Sequence, residues 1–292
     1  MSLDNNKGYF AALLAVFIWG AFPTLLKETL VELKQVEQFL AIRFLFSTIL
    51  LMPFLPKALS KLKQIDRFVV GAFIVTTVTV FYSQTYALNQ VPASWYVAAF
   101  TFVPVIFLML SKASLNYLEK LGSSTAMLGM LVFFSSLSYE KQMQFSGFVL
   151  LMISILSWVA YSLLAKKLHS KLTDFELVAL TCFIGLMAST LFWGVQGFQT
   201  EPLSIKGITL CVLTAMVVLV ALMAYSFSLR VNPVFAVFSQ YLEPVLGLMI
   251  AALFLRESMC FVQYLAASLI ILGTFFIGFA SRKKNAEAVS LS

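Results

Sequence analysis

Charged side chains are scarce in this sequence. Only 11% of the 292 residues are charged, whereas 61% are hydrophobic and the mean hydropathy is +0.93. A water-soluble protein of this length could not cover its surface with so few charges, so lipid must surround most of the chain. The composition therefore predicts an integral membrane protein.

Histidine and cysteine are scarcer still. His169 is the one histidine, and Cys182, Cys211 and Cys260 all lie inside apolar stretches. His169 lies in the basic loop after the sixth span, so the chain has no HExxH zinc motif and no Ser-His dyad within the membrane. The cysteine spacing fits neither a disulfide framework nor a metal site. A glycine-rich phosphate loop is also absent, so ATP-driven transport by this chain alone is not expected. We predict no cofactor, no bound metal and no enzymatic activity.

The basic residues are spread thinly along the chain. The net charge is +7, but the lysines and arginines are scattered over short loops and do not form one patch. This distribution does not suit a nucleic acid partner, and it fits the charge bias of membrane loops. The partners that we expect are the lipid bilayer, a small-molecule substrate and protons as a coupling ion.

What the sequence does contain is an internal repeat. A four-residue pattern recurs after 139 positions, with Gly8, Trp19, Lys27 and Glu37 matched by Gly147, Trp158, Lys166 and Glu176. Each copy opens a block of five long apolar stretches. Since five is an odd number, the second block must enter the membrane from the opposite side. This is the inverted-topology repeat found in many secondary transporters.

The predicted fold class is an all-α integral membrane protein with ten transmembrane helices in a 5+5 inverted-topology repeat. Residues 1–138 form the first predicted repeat, residues 139–281 the second, and residues 282–292 a disordered cytoplasmic tail. Each span is near the roughly 20 residues that a bilayer requires. The predicted spans are 8–26, 36–55, 68–88, 92–110, 121–137, 145–166, 175–194, 207–228, 232–254 and 260–280.

The distribution of basic residues predicts the orientation. With the N-terminus inside, fourteen of the 20 lysines and arginines fall in cytoplasmic segments and five in outer segments, while Arg43 lies within a span. Because cytoplasmic loops carry the excess of basic residues, both termini are predicted to be cytoplasmic.

The ninth and tenth spans carry a recognisable motif. The run Gln240-Tyr241-Leu242-Glu243-Pro244-Val245 is followed by Leu255-Arg256-Glu257 and then by Leu265 to Gly273. This resembles the "LEPV…GE…GA.LI..G" run of the EamA-type branch of the drug/metabolite transporter superfamily. Trp19-Gly20 is similar to the opening signature of that family, and the resemblance covers essentially the whole chain.

The sequence departs from the family pattern in places. Arg256 stands where a Gly is usual, Val103-Pro104-Val105 lacks the Glu, and Ser111-Lys112 stands where a Gly-Glu is common. The two half-sites are therefore not expected to be chemically equivalent. The resemblance implies a ten-span 5+5 layout, a central cavity formed largely by spans 1, 3, 4, 6, 8 and 9, and a small polar or amphipathic substrate, often moved outward.

Glu243 is the sharpest candidate for a substrate-binding residue. It lies about a dozen residues into its span, so about 15–18 Å deep at 1.5 Å per residue. An ionisable group at that depth is costly unless it faces a partner or water, and it is functional by default. Gln240 lies on the same face, and Pro244 can open the helix as a hinge. In the structural alternative, Glu243 pairs with Arg43 or a polar neighbour and locks helices together.

Arg43 is the other intramembrane charge. It suits an anionic group such as a substrate carboxylate. The alternative is that Arg43 snorkels to the interface or stabilises the bundle by pairing with an acid.

Two repeat-related tryptophans lie near the predicted midplane. Tryptophan is usual at membrane interfaces, so Trp19 and Trp158 at mid-depth call for an explanation. We predict that they flank a substrate at the pseudo-symmetry axis, and the alternative is shared ancestry plus packing. Pro23, four residues after Trp19, has no counterpart in the second copy and is a predicted hinge.

Further aromatic residues mark spans three, four and eight. Tyr82, Tyr86, Trp95 and Tyr225 suit an aromatic wall for an amphipathic ligand. Since 15% of the chain is aromatic, a single ring is more often packing, and only the cluster is evidence.

Four charged residues of the repeat sit at predicted helix ends: Lys27, Lys166, Glu37 and Glu176. For all four we favour capping, snorkelling or orientation over substrate contact. Thr173 and Glu176 have the spacing of a capping box that opens span seven.

These features together predict a secondary transporter of the bacterial inner (plasma) membrane that works by alternating access. Glu243 and Arg43 suit the ammonium and the carboxylate of an amino acid or related zwitterion. A titrating Glu243 would couple transport to protons or recognise a cationic amine. Nucleoside-type metabolites, stacked on the aromatic lining, are the alternative substrate class. An intramembrane enzyme and a non-transporting receptor or assembly factor are the alternatives of a different class.

Overall fold

A computed structural model describes residues 3–111, 115–136, 145–200, 202, 204–255 and 260–290 of the chain. Over these residues the backbone is almost entirely helical and contains no strand. Arg256 and Glu257 of the family motif lie outside the described residues, as does Lys112.

Thirteen α-helices follow one another along the described part of the chain. They are α1 Leu3–Glu32, α2 Val36–Leu51, α3 Leu55–Leu62, α4 Arg67–Gln90, α5 Ala93–Phe100, α6 Val103–Ser111, α7 Tyr117–Ser136, α8 Phe145–Leu168, α9 Asp174–Val195, α10 Ile205–Val231, α11 Pro233–Phe238, α12 Glu243–Leu255 and α13 Phe261–Ser290.

The helices make ten passes through the bundle, as the sequence predicts. Seven passes are single helices: pass 1 is α1, pass 3 is α4, pass 5 is α7, pass 6 is α8, pass 7 is α9, pass 8 is α10 and pass 10 is α13. In pass 2, helix α2 continues into α3. Passes 4 and 9 are broken and consist of α5 with α6 and of α11 with α12. Within the described residues, seven helices are each long and apolar enough to cross a membrane. The ten-helix, all-α fold class is thereby confirmed.

The packing of the passes follows an internal two-fold relation. Pass 2 packs against pass 7 and pass 5 against pass 10, while pass 1 packs against pass 8 and pass 3 against pass 6. The repeat relates each pass of the first half to the pass whose number is five higher. Under this relation the pairs 2–7 and 5–10 map onto themselves, and the pairs 1–8 and 3–6 map onto each other. Because the halves run in opposite directions, this is the packing of an inverted repeat.

Passes 4 and 9 are interrupted at corresponding places. The chain turns at Thr101 and Phe102 between α5 and α6, and through a 3-10 turn, Ser239–Leu242, between α11 and α12. In both passes a proline, Pro104 or Pro244, is the second residue of the helix that follows. A proline lacks the N–H that would continue the preceding helix, and it is tolerated in a first helical turn.

Passes 5 and 10 are joined by small residues. A Cβ atom added to Gly122 would lie 2.6 Å from the carbonyl oxygen of Gly273, and one added to Gly273 would lie 2.5 Å from the backbone nitrogen of Ala126. The backbones of α7 and α13 therefore approach closely, which is how membrane helices pack without large side chains.

The helix ends show which local predictions hold. Thr173 and Glu176 form the predicted capping box at the start of α9. At the C-terminus, by contrast, α13 continues through the segment predicted to be a disordered tail, as far as Ser290. The tail sequence contains no glycine or proline after Gly278, and its lysines, alanines and Glu287 are good helix formers, so the last helix has no local signal to stop.

The two ends of the bundle carry different polar contacts. At one end, here called the Glu32 face, Lys206 Nζ lies 2.8 Å from Glu32 Oε1. At the other end, here called the Lys61 face, Lys61 Nζ lies 2.7 Å from Glu176 Oε2. Both contacts join helices distant in sequence.

Candidate functional site

A narrow central cavity of about 30 Å³ lies between the two repeats. Passes 1, 2, 3, 4, 6, 8 and 9 contribute to its wall. Pass 2, which contributes Arg43, is the addition to the set of spans that the family resemblance implies. The lining residues are Trp19, Phe22, Arg43, Phe81, Gln84, Tyr96, Phe100, Trp158, Val218, Leu222, Gln240 and Glu243.

Helical spacing and the two helix breaks bring these side chains together. Phe81 and Gln84 are three residues apart on α4 and therefore face the same direction. The 3-10 turn of pass 9 carries Gln240, and the first turn of α12 carries Glu243. A Cβ added to Gly20 would lie 3.1 Å from the carbonyl oxygen of Glu243, so the glycine allows α1 to pack against this break.

Glu243 is an acid at the positive end of a helix. Its side chain is 4% exposed, and it is the first residue of α12. The N–H groups of a first helical turn favour negative charge. Among the described residues, no basic side chain lies within 4 Å of its carboxylate.

Arg43 is enclosed by aromatic rings. Its guanidinium carbon lies 4.9 Å from the ring centroid of Phe44 and 5.1 Å from that of Phe81. Cation–π attraction of this kind partly replaces lost water. No carboxylate of the described residues lies within 4 Å of the guanidinium nitrogens, so the direct ion pair of Arg43 with Glu243 is not formed in this structure.

Two further polar groups at the cavity have unused hydrogen-bonding capacity. The side-chain amide of Gln240 is buried, and within the described residues neither its nitrogen nor its oxygen has a hydrogen-bond partner. The same is true of the indole nitrogen of Trp158. A buried polar group without a partner is destabilising, so these groups are suited to bonds with a bound polar molecule.

The repeat-related tryptophans meet at the cavity wall. The rings of Trp19 and Trp158 are 5.1 Å apart and perpendicular. Tyr225 contacts both, at 4.9 Å from Trp19 and 5.3 Å from Trp158. The hydroxyl of Tyr225 lies 2.7 Å from Ser162 Oγ, so Tyr225 supports the wall from behind and does not line the cavity.

The structure thus brings together five of the predicted site residues: Trp19, Arg43, Trp158, Gln240 and Glu243. Tyr82, Tyr86 and Trp95 are not brought to the cavity. Tyr82 packs against Phe192, Tyr86 donates a hydrogen bond to Glu37, and Trp95 packs against Phe134.

The predicted hinge prolines have different surroundings. Pro23 lies inside the unbroken helix α1, whereas Pro244 directly follows the 3-10 turn of pass 9. Several lining residues are not marked by the sequence, among them Phe22 and Phe81. The only signals for them are their three-residue spacings from Trp19 and Gln84, respectively.

Metal and cofactor chemistry gains no support from the site. Within the described part of the chain, no three His, Cys, Asp or Glu side chains are grouped in a way that could hold a metal ion. The polar groups of the cavity are a guanidinium, a carboxylate, two amides and aromatic N–H and O–H groups, which bind by charge and hydrogen bonds.

Comparison with known proteins agrees with this architecture. The model of the EamA-like transporter family matches the chain twice, over residues 6–139 and 145–279. A solved structure titled only "Crystal structure of protein" has the same fold, with a TM-score of 0.70 at 14% identity over 94% of this chain and 98% of its own. No curated protein matches the sequence.

Proposed function

The chain belongs to the EamA-like transporter family, and from this premise we propose that it carries an amino acid or a related zwitterion across the bacterial inner membrane. Membership of the drug/metabolite transporter superfamily accounts for a membrane-embedded carrier of a small molecule. The choice of substrate class comes from the chemistry of the central cavity.

One observation carries the choice: Arg43 and Glu243 line the same cavity, and neither has an ion-pair partner among the described residues. A zwitterion supplies a carboxylate for the guanidinium and an ammonium for the carboxylate at once. Each of these is a charge-assisted hydrogen bond, and both would form in a site shielded from water. The amide of Gln240 offers a donor and an acceptor to the same ligand.

Alternating access is the proposed mechanism. The cavity lies between the repeats, and the broken passes 4 and 9 both contribute to its wall, through Tyr96 and Phe100 and through Gln240 and Glu243. Rocking of one repeat against the other would open the cavity first to one face and then to the other. In the proposed cycle, Glu243 binds either the substrate ammonium or a proton, because a neutral acid is less costly to bury than an unpaired carboxylate.

Nucleoside-type metabolites are a second candidate class. The perpendicular rings of Trp19 and Trp158 and the neighbouring Phe22 offer faces for a planar base. This alternative uses the aromatic wall and leaves Arg43 without an anionic partner, since a nucleoside carries no carboxylate.

Flux through proteoliposomes tests the proposal. Vesicles loaded with a mixture of amino acids should exchange a labelled amino acid, whereas vesicles loaded with nucleosides should not exchange a labelled nucleoside. Glu243→Gln should abolish exchange while the variant remains folded, and Glu28→Gln, which changes an exposed acid of α1, should leave exchange unchanged. Exchange of nucleosides only, or normal amino acid exchange by Glu243→Gln, would contradict the proposal.

A further inference from the structure

A second recess lies on the other side of α4 from the central cavity. Helix α4 presents Phe81 and Gln84 to the cavity, but Thr79 and Tyr82 to this recess. The recess is completed by Glu37 of α2 and by the last turn of α9, near the Glu32 face. We call it the Glu37 recess; the residues that matter here are Glu37, Thr79, Tyr82, Phe192 and Val195.

Its polar end is a buried acid. The side chain of Glu37 is 5% exposed, and its carboxylate accepts a hydrogen bond from the hydroxyl of Tyr86. Among the described residues, no lysine, arginine or histidine nitrogen lies within 4 Å of this carboxylate. The hydroxyl of Tyr82 is buried as well and has no hydrogen-bond partner among the same residues. A buried carboxylate with one hydrogen bond and no cation is an incompletely neutralised group.

The repeat-related residue Glu176 shows how a buried carboxylate of this kind is neutralised. Glu176 is the counterpart of Glu37 in the second repeat, near the start of α9. Its carboxylate is bound by the ammonium of Lys61 at 2.7 Å, and it also closes the capping box with Thr173. In the first repeat, the N-cap residue Gln35 makes no capping bond, and an open recess takes the place of the lysine. The ammonium group of Lys61 therefore neutralises Glu176, whereas among the described residues no ammonium group neutralises Glu37.

The rest of the recess suits the carbon skeleton of an organic cation. The rings of Tyr82 and Phe192 are 5.0 Å apart at 70°, so they offer two differently inclined aromatic surfaces. Aromatic faces attract ammonium groups, and their edges pack well against hydrocarbon. At the rim, Val195 is 79% exposed, which leaves the recess open beside the apolar surface of the protein.

We propose that the Glu37 recess is a second binding site, separate from the central cavity, that takes an amphipathic organic ammonium ion. The ammonium lies on the Glu37 carboxylate, as that of Lys61 lies on Glu176. The apolar part packs against Tyr82, Phe192 and Val195. The site does not depend on the substrate proposed for the cavity, because the two share no lining residue.

Calorimetric titration with 4-phenylbutylamine tests this site. The full chain, purified in the uncharged detergent dodecyl maltoside, should bind the amine but not its neutral analogue 4-phenylbutanol. Glu37→Gln keeps an acceptor for Tyr86 but removes the charge, so it should weaken amine binding by about tenfold or more. The matched control is Glu176→Gln, the same change at the repeat-related acid that already holds Lys61, and it should bind the amine as the wild type does.

Two further variants distinguish binding in the Glu37 recess from binding in the central cavity. Glu243→Gln alters the central cavity only and should retain amine binding. Loss of binding in Glu243→Gln with retention in Glu37→Gln would place the amine in the cavity and overturn the proposal. Should Glu37→Gln fail to fold, Val195→Trp obstructs the rim without touching the acid. Undiminished amine affinity in Val195→Trp would overturn the proposal equally.

Discussion

At the scale of single residues, Trp19 and Trp158 differ in burial and in the geometry of their contacts with neighbouring rings. Trp158 is 5% exposed and stacks on both Tyr161 and Tyr225, whereas Trp19 is half-buried. The two residues are related by the repeat, yet Trp158 stacks on its two tyrosine neighbours, whereas Trp19 contacts Trp158 and Tyr225 edge to face. Their contributions to ligand binding and to stability should therefore separate.

We expect Trp19→Ala and Trp158→Ala each to weaken substrate binding, because both rings line the cavity. Loss of a buried tryptophan typically costs about 3–5 kcal/mol, and we expect a cost near this range only for Trp158→Ala. Melting temperature and ligand affinity of both variants give the comparison. Trp193→Ala, which alters a ring that contacts Phe198 at the Glu32 face, is the control and should bind normally. Two unstable variants with unaltered affinity would remove both rings from the site.

His169, at the Lys61 face, makes the stability of the folded chain depend on pH. Burial lowers the pKa of His169 below the ordinary 6.5, opposing the attraction of Asp174. The unfolded chain therefore binds a proton at a higher pH than the folded chain does, so stability falls as the pH drops below about 6.5. Thermal unfolding between pH 8 and pH 5.5 should show this loss, and His169→Gln should reduce its slope. An identical slope in the variant would show that other groups cause it.

The sequence predicts which residue types matter better than it predicts which way they point. Glu243, Gln240 and Arg43 are polar groups in an apolar span, and this contrast alone marks them. Tyr82 offers no such contrast. In a membrane protein the surface facing lipid is as apolar as the core, so periodicity does not show which face of α4 looks toward the centre.

At the scale of whole helices, the two broken passes show the same limit. The break in pass 9 can be predicted, because Pro244 follows a charged residue at mid-depth. The signal for the break in pass 4 is weaker, because Pro104 stands between two valines and no charged residue marks the position. The family motif relates Pro104 to Pro244 in the sequence, but the structure is needed to show that α6 and α12 both begin one residue before these prolines.

The contact between α7 and α13 leads to a prediction about stability. In Gly273→Ala the new Cβ atom would meet the backbone of α7 at 2.5 Å, so the two helices must separate. We expect a clear fall in melting temperature. Gly71→Ala is the matched control, since a Cβ at Gly71 meets nothing within 4 Å and alanine favours a helix by about 1 kcal/mol. An equal response of the two variants would contradict the close packing of passes 5 and 10.

At the scale of the whole molecule, the native cysteines can test the proposed orientation. Cys260 is exposed at the start of α13, on the Glu32 face, while Cys182 and Cys211 are buried. With both termini in the cytoplasm, a membrane-impermeant maleimide should label Cys260 in intact cells. Lys61→Cys in a Cys260→Ser background should be labelled only after the cells are opened. The reverse pattern would invert the orientation.

The overall architecture is the most predictable property, because it depends on counts and not on directions. An odd number of apolar stretches in each copy of a repeat requires opposite orientations, whatever the helices do in detail. The relative placement of α7 and α13 required the structure, since small residues also occur where no helix approaches, as at Gly71.

The repeats are alike in fold but unlike in side chains, and this has an energetic consequence. Helix α6 begins at Val103, whereas the corresponding helix α12 begins at Glu243. Glu37 accepts a hydrogen bond from Tyr86, whereas its counterpart Glu176 forms an ion pair with Lys61. In a carrier of identical halves the two openings would be mirror states of equal free energy. Unequal halves make them unequal, and a difference of about 1.4 kcal/mol already gives a tenfold preference. In the proposed cycle, the empty carrier thus has a resting side, set by its own side chains before any solute or gradient acts on it.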